Sequence, residues 1–303
     1  MIDFHKIDLT HKAEYETCLF AGPNRGCEYS FANLYLWGRQ RFAVIHDHVV
    51  LFSQFSRRTV YPYPVGAGDK KPVLDAIMQD AAGRGIPCRI TGLNQQDITL
   101  LEHLYPGLFR FHCDRDSYDY VYDINDLADL KGRKYQKKRN HFNRFRESFP
   151  YYTAQPLSRE LLPQVRQMVE QWYEDRLRED PSGDYHMEKA AIRKALDQYE
   201  ELGLEGLVIL DGEQVLAMTL GSPLSDDTFD IHFEKARQDV QEAYPVINCE
   251  FARYLRQKYP RVKYLNREDD LGLEGLRKAK LSYYPHHLVE KCWACLLEEG
   301  YDY

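Results

Sequence analysis

Residues Tyr264–Lys280, YLNREDDLGLEGLRKAK, read as a strand whose polar end runs straight into a basic amphipathic helix. A strand end that offers Asn266, Arg267, Glu268, Asp269 and Asp270 beside a new helix N-terminus is where a fold of alternating strands and helices usually holds its ligand. The same residues also suit a solvated loop, with Asp269 or Asp270 capping the helix amides, and the sequence leaves both readings open.

The elements around this stretch form a repeating order. Upstream, Leu207–Leu210 and Val215–Thr219 flank a turn at Asp211–Gly212, TFDIHFEKA is extended, and Val246–Lys258 is a helix. Then come a strand at Val262–Leu265, a helix at Leu273–Ala279 and a strand at His287–Leu297. The N-terminal half shows the same succession: a hairpin turning at His46–Asp47, the helix KPVLDAIMQDAAGRG, the strand IPCRITG, the helix ITLLEHLY and the strand LFRFHC. Two copies of one α+β plan explain this, with the boundary near Asp126–Lys131. Between them lie an opening strand, YYTAQPL, and the helices Arg159–Leu177 and Glu188–Leu202, whose apolar positions read as core.

A chain of 303 residues with 44% apolar and 29% charged residues is an ordinary globular protein, long enough for two domains. The formal charge of −7 argues against a general nucleic-acid binder while leaving room for a local basic face. No apolar run is long enough to cross a bilayer, and the polar start MIDFHKIDLTHKAEYE does not read as a signal peptide, so the cytoplasm is the expected location. Seven scattered cysteines predict reduced thiols. Cys292 and Cys295 approach a metal-ligand spacing but lie in VEKCWACLL, read as a buried terminal strand, so no metal site is expected. The 23 tyrosines read mostly as core.

The sharpest electrostatic signal is KGRKYQKKRNHFNRFR, Lys131–Arg146, eight cations without an acid. Tyr135, Phe142, Phe145 and Phe149 define one apolar side, leaving Lys137, Arg144 and their neighbours to face outward and neutralise the phosphates of a large anionic partner. A solvated helix face, or a membrane-surface helix, has the same composition. On the extended TFDIHFEKA, His232 and Glu234 alternate with Phe233 and so share a face, which orients an imidazole beside a carboxylate or is simply polar. Asn248, with Tyr244 just before it, lies near a helix start where backbone amides meet anions. There is no GxSxG, HExxH, Walker or dinucleotide motif. A covalent enzyme is therefore disfavoured, and a transferase that only aligns an already activated donor is left open.

Four segments, GRKYQKKRNHFNRF at 132–145, IHFEKA at 231–236, AYPVINCEFARYL at 243–255 and YLNREDDLGLEGLRKAKLSYYP at 264–285, resemble the C-terminal domain family of phosphatidylglycerol lysyltransferase. The resemblance implies an α+β fold of two tandem GNAT-like (acyl-CoA N-acyltransferase-like) domains, with mixed central sheets flanked by helices. Residues 1–128 would form the first, and 129–303, opening on a basic helix at 131–148, the second. It implies transfer of an aminoacyl group from charged tRNA to a hydroxyl or amine of a lipid or small molecule, with no cofactor.

In that reading Lys137, Lys138, Arg139 and Arg144 hold the donor's phosphates, and Tyr244, Asn248, Arg267 and Lys278 bind substrate. His232 or Glu234 relays a proton, Asn266 and Asp270 line the far end of a cleft between the domains, and strand amides near Met218–Leu220 polarise the ester carbonyl. The usual acetyl-CoA loop of such folds is glycine-rich, whereas RQDVQEAYPVIN at 237–248 has no glycine and carries Asp239 and Glu242. Acyl-CoA-dependent N-acetylation, with acyl-CoA as its cofactor, is the alternative activity, and a non-catalytic module for anionic ligands is the alternative outside enzymes.

Overall fold

Strands buried along nearly their whole length, such as Glu205–Asp211 and Gln214–Pro223, form the centre of the structure, a computed structural model in which residues 1–23, 25–55, 58–240 and 242–297 are described. The first half runs β1 (His5–Lys6), α1 (Lys12–Ala21), α2 (Phe31–Trp37), β2 (Gln40–Ile45), β3 (His48–Phe55), β4 (Arg58–Pro62), β5 (Val65–Gly66), α3 (Lys71–Arg84), β6 (Arg89–Leu93), α4 (Gln95–Leu104) and β7 (Phe109–Cys113). Next come β8 (Asp119–Asp123), α5 (Ile124–Asp129) and α6 (Gln136–Ser148). The second half then repeats the order of the first: β9 (Thr153–Pro156), α7 (Leu162–Glu179), α8 (His186–Asp197), β10 (Glu205–Asp211), β11 (Gln214–Pro223), β12 (Thr228–Ala236), α9 (Ala243–Lys258), β13 (Tyr264–Asn266), α10 (Glu274–Leu281) and β14 (His287–Val289). A last strand is β15 (Cys292–Leu296).

Two compact units result. One holds Met1–Tyr120, Asp269–Lys278 and 288–297; the other holds Val121–Glu268 and Ala279–His287. The first sheet has the order β1-β2-β3-β4-β6-β15-β7, with β5 added beside β3, and the second β14-β8-β13-β12-β11-β10-β9. Within them β4–β6 and β12–β13 are parallel, so both sheets are mixed. The hairpin between β2 and β3 turns at His46 and Asp47, both in the left-handed region (φ 49° and 57°), as a tight turn matched to strand twist requires.

The C-terminal segment differs from the sequence reading. Instead of one strand at His287–Leu297 there are two, and β15 lies between β6 and β7 in the first sheet. The break falls at Lys291, a lysine inside an apolar run, which reaches Glu28 (2.8 Å) and Asp119 (2.5 Å). Burying that ammonium without carboxylates around it costs more than interrupting a strand. The expectation of seven reduced thiols is corrected as well. Cys292 sits directly across from Cys113 in the β15–β7 ladder and is disulfide-bonded to it, while Cys18, Cys27, Cys88, Cys249 and Cys295 stay in the thiol form. A pair 179 residues apart has no local spacing to announce it.

In the second unit α7 and α9 pack on the sheet: Val165 and Val169 of α7, Phe251 of α9 and the strand residues Val208, Leu220 and Phe229 are all buried, with the Phe251 ring 6.2 Å from that of Phe229, while α8 packs on α7. The basic segment opens with a 3-10 turn at Arg133–Tyr135 before α6, and its aromatic residues are on the expected side: Tyr135, Phe142 and Phe145 are buried. The Phe145 ring meets that of Tyr152 at 5.1 Å, Tyr152 Oη donates to Glu250 on α9 (3.0 Å), and the Arg253 guanidinium lies 5.3 Å from the centre of the Phe142 ring. α6 is therefore held on α9 by its aromatic stripe and presents its cations elsewhere. Phe145→Ala should lower the unfolding free energy by about 3–5 kcal/mol in urea denaturation followed by circular dichroism. The exposed Lys137→Ala should change it by less than about 0.5 kcal/mol, and equal effects would contradict this anchoring.

Candidate active site

The parallel pairing of β12 with β13 covers only Thr228–Asp230 against Tyr264–Asn266, yet β12 continues to Ala236. Beyond Asp230 the parallel neighbour has left, and the notch this leaves in the sheet beside the upper part of β12 is occupied by side chains from α6, α9 and the segment after β13. Two local interactions turn the chain away. The buried Asn266 side chain accepts from Glu268 N (2.8 Å), and Lys280 Nζ donates to the carbonyls of Arg267 and Glu268. Glu268 takes a left-handed conformation (φ 57°), which costs a non-glycine residue energy and is held by these bonds. As a result Arg267 and Glu268 direct their side chains back toward β12.

Arg267 pairs with Glu234 (2.9 Å), whose other oxygen lies 3.5 Å from Asn248 Nδ2 on α9. The guanidinium is 5.0 Å from the centre of the Tyr283 ring and 5.7 Å from that of Tyr122. Lys138, on the inner side of α6, places Nζ 3.7 Å from the centre of the same Tyr283 ring. Burial, helped by the charge of Arg267 and opposed by Glu234, pushes the Lys138 ammonium down to about 8. Two cations thus face one carboxylate. Lys138 makes no hydrogen bond or ion pair among the described residues, and the buried Arg267 Nη1 and Asn248 Oδ1 have no hydrogen-bond partner. The arrangement has charge and donors to spare for an anionic or strongly polarised group.

A second cluster lies on β12 itself. Leu220 opposes Phe233 and Gly221 opposes Ile231, so His232 is the extra residue of a β-bulge, a device that re-aims a side chain. Its Nε2 is 2.8 Å from Ser222 Oγ, and its Nδ1 is 3.4 Å from Asp230 Oδ2 and 3.7 Å from Glu268 Oε1. His232 and Glu234 therefore serve different clusters, reached through the consecutive residues Glu268 and Arg267.

Of the residues singled out in the sequence, Lys138, Glu234, Asn248 and Arg267 converge, with His232 and Asn266 adjoining them. Tyr244 accepts from Trp172 Nε1 (3.2 Å), and burial raises its phenol. Lys137 and Arg144 are exposed and border a shallow hollow of about 480 Å³ on α6, where Arg144 also lies 3.7 Å from Glu242 at the start of α9. Arg139 is turned inward to the carbonyls of Leu130 and Gly132. Asp270 and Lys278 belong to the first unit. Asp270 is fully buried there, bonded to Tyr120 Oη, Gly272 N and Arg277, whose guanidinium holds its carboxyl well below the usual range; Lys278 is exposed. The amides near Met218–Leu220 sit in an interior strand paired on both sides, so the ladders engage them rather than a carbonyl. Of the acyl-CoA loop at 237–248, Gln241 lies outside the described residues, and Asp239 is paired to Arg237 (2.7 Å).

Sequence reasoning missed Tyr283, Tyr122, Ser222 and Asp230. Asp230 carried a signal, the two-residue spacing of Asp-x-His-x-Glu along one strand; the tyrosines carried none, since their partners are distant in sequence.

A family model described as phosphatidylglycerol lysyltransferase, C-terminal, matches residues 21–295. The chain belongs to that family. A crystal structure of a conserved protein of unknown function from Bacteroides thetaiotaomicron is 37% identical, covers 98% of this chain and 100% of its own, and superposes with a TM-score of 0.92. The L-PGS structure from Bacillus licheniformis is 18% identical, covers 96% of this chain and 93% of its own with a TM-score of 0.68, and at that identity shows the fold. An uncharacterized protein of Mycoplasmoides gallisepticum is 28% identical over 178 residues, 58% of this chain and 55% of that protein, so the match spans about half the length of that curated relative. The fold class is tandem GNAT-like, two α+β halves with mixed sheets flanked by helices. No helix among the described residues is long and apolar enough to cross a membrane.

For this family member the notch has a direct test. Lys138 should react with an amine-modifying reagent along a pH curve with its midpoint at about 8, read by peptide mass spectrometry. A midpoint near 10.4, the ordinary value for a lysine, would contradict its burial beside Arg267.

Proposed function

We propose that the chain is an aminoacyltransferase that takes its aminoacyl group from charged tRNA and passes it to the hydroxyl or amine of a lipid or small molecule. The observation that carries this reading is the half-buried pair Lys138 and Arg267, two cations against the single carboxylate of Glu234, with Arg267 Nη1 and Asn248 Oδ1 unpaired beside them. Membership of the lysyltransferase family supports it.

An aminoacyl ester is already activated, so the protein needs no nucleophile of its own. The acceptor's nitrogen or oxygen attacks the ester carbonyl carbon. A C–N or C–O bond forms, the ester bond to the ribose breaks, and the acceptor's proton ends on the ribose oxygen. Lys138 and Arg267 stabilise the oxyanion that develops, and they do so strongly because burial lowers the local dielectric. Asn248 and Glu234 hold the α-ammonium of the aminoacyl group, and Glu234 is the carboxylate nearest the travelling proton. On the outer side of α6, Lys137 and Arg144 meet tRNA phosphates.

Purified protein given a mixture of radiolabelled aminoacyl-tRNAs with phosphatidylglycerol vesicles or small amines should transfer label to an acceptor, and Arg267→Ala should reduce transfer at least 100-fold. Binding of tRNA by the double variant K137A/R144A should weaken, and the slope of log affinity against log salt should shrink by roughly 2, about 0.7–0.9 per lost phosphate contact. No transfer from any aminoacyl-tRNA, together with release of free coenzyme A from acetyl-CoA, would overturn the proposal in favour of N-acetylation.

A further inference from the structure

The Asp230–His232–Glu268 cluster is more than a polar patch under the notch. We infer that it is a binding site for one divalent first-row metal ion, of the class of Zn²⁺ or Mn²⁺. This inference stands independently of the aminoacyl-transfer reading.

The His232 side chain is fully buried, and its Nδ1 makes no hydrogen bond although two carboxylates face it, Asp230 Oδ2 at 3.4 Å and Glu268 Oε1 at 3.7 Å. The three donor atoms lie within 4.8 Å of one another. Ligands about 2.0–2.2 Å from a tetrahedral ion stand about 3.3–3.6 Å apart, which is close to the spacings around Nδ1. The other ring nitrogen is engaged: Nε2 is 2.8 Å from Ser222 Oγ, and in the tautomer that donates this bond the Nδ1 lone pair is directed at the space between the carboxylates. Each ligand is positioned by a separate device. The bulge aims His232; Asp230 is fixed by its register opposite Asn266; Glu268 is held in its left-handed conformation by Asn266 and Lys280.

The donor set also narrows the ion. One imidazole and two carboxylates suit Zn²⁺ or Mn²⁺ better than a soft ion that seeks thiolates. Three protein ligands leave at least one coordination position for water or another oxygen donor. Entry is through Glu268, whose side chain is 28% exposed while those of its two partners are fully buried. The neighbouring Arg267 is paired with Glu234 rather than with this cluster.

Full-length protein, dialysed against chelator, should bind ZnCl₂ or MnCl₂ with one saturable site per chain in isothermal titration calorimetry, and its melting temperature should rise with the metal. Glu268→Gln, which alters only the partly exposed ligand, should keep the metal-free melting temperature but lose the metal-induced rise and at least 10-fold in affinity. His232→Ala should abolish the site, and Ser222→Ala should weaken it by about 10–100-fold through the ring's orientation. A double variant of the exposed pair His286 and His287 should retain it. The inference is overturned if the wild-type chain shows no saturable binding of either ion, or if binding survives Glu268→Gln and His232→Ala unchanged. It is equally overturned if binding is lost with His286 and His287 instead.

Discussion

The second unit is organised by a parallel strand pairing that stops after three residues. Because β13 ends at Asn266 while β12 runs on to Ala236, the upper half of β12 lacks a neighbour on one side, and polar side chains rather than a strand occupy the space. That choice is expensive. Each buried polar atom left without a partner costs about 1–3 kcal/mol, and Arg267 Nη1, Asn248 Oδ1 and His232 Nδ1 are three such atoms. Against a total stability of roughly 5–15 kcal/mol, a purely structural protein would gain by filling the notch with apolar residues. Retaining them is understandable if ligands complete the bonds.

The basic helix shows why counting charge in a sequence overstates a binding face. Of the eight cations between Lys131 and Arg146, Lys131 and Lys134 pair with Asp129 and Asp126, Arg139 caps backbone carbonyls, and Arg144 approaches Glu242. The partners come from α5 and its flanks and from the loop before α9. What distinguishes α6 is the one lysine pointing inward. Lys138 brings to the notch a charge whose desolvation no ion pair offsets, and a cation in that state is poised to meet an anion.

The duplicated succession of elements, the hairpin at His46–Asp47, the aromatic stripe of α6 and the polar strand end at Asn266 were all legible, because each depends on local periodicity or turn chemistry. Lys138, Glu234, Asn248 and Arg267 were singled out in the sequence and come together, but Lys138 was read on the outward, phosphate-facing side of the basic helix and lies on its inner side against Tyr283. What could not be read depends on distant pairing. Cys113 with Cys292, the insertion of β15 between β6 and β7, and the stacking of Tyr283 under both Lys138 and Arg267 join residues far apart in the chain. The separation of His232 from Glu234 was hidden by a bulge, which leaves the alternation in the sequence intact while changing where it points.

Under the proposed function the aminoacyl end of the donor sits in the notch beside β12. The most direct measurement is a crystal structure with a stable amide analogue of aminoacyl-adenosine. The amide carbonyl oxygen should lie within hydrogen-bond distance of Lys138 Nζ or Arg267 Nη1, and the α-ammonium against Glu234 and Asn248. An analogue seated instead in the hollow lined by Gln171, Trp172 and Arg237, with the notch unchanged, would contradict it.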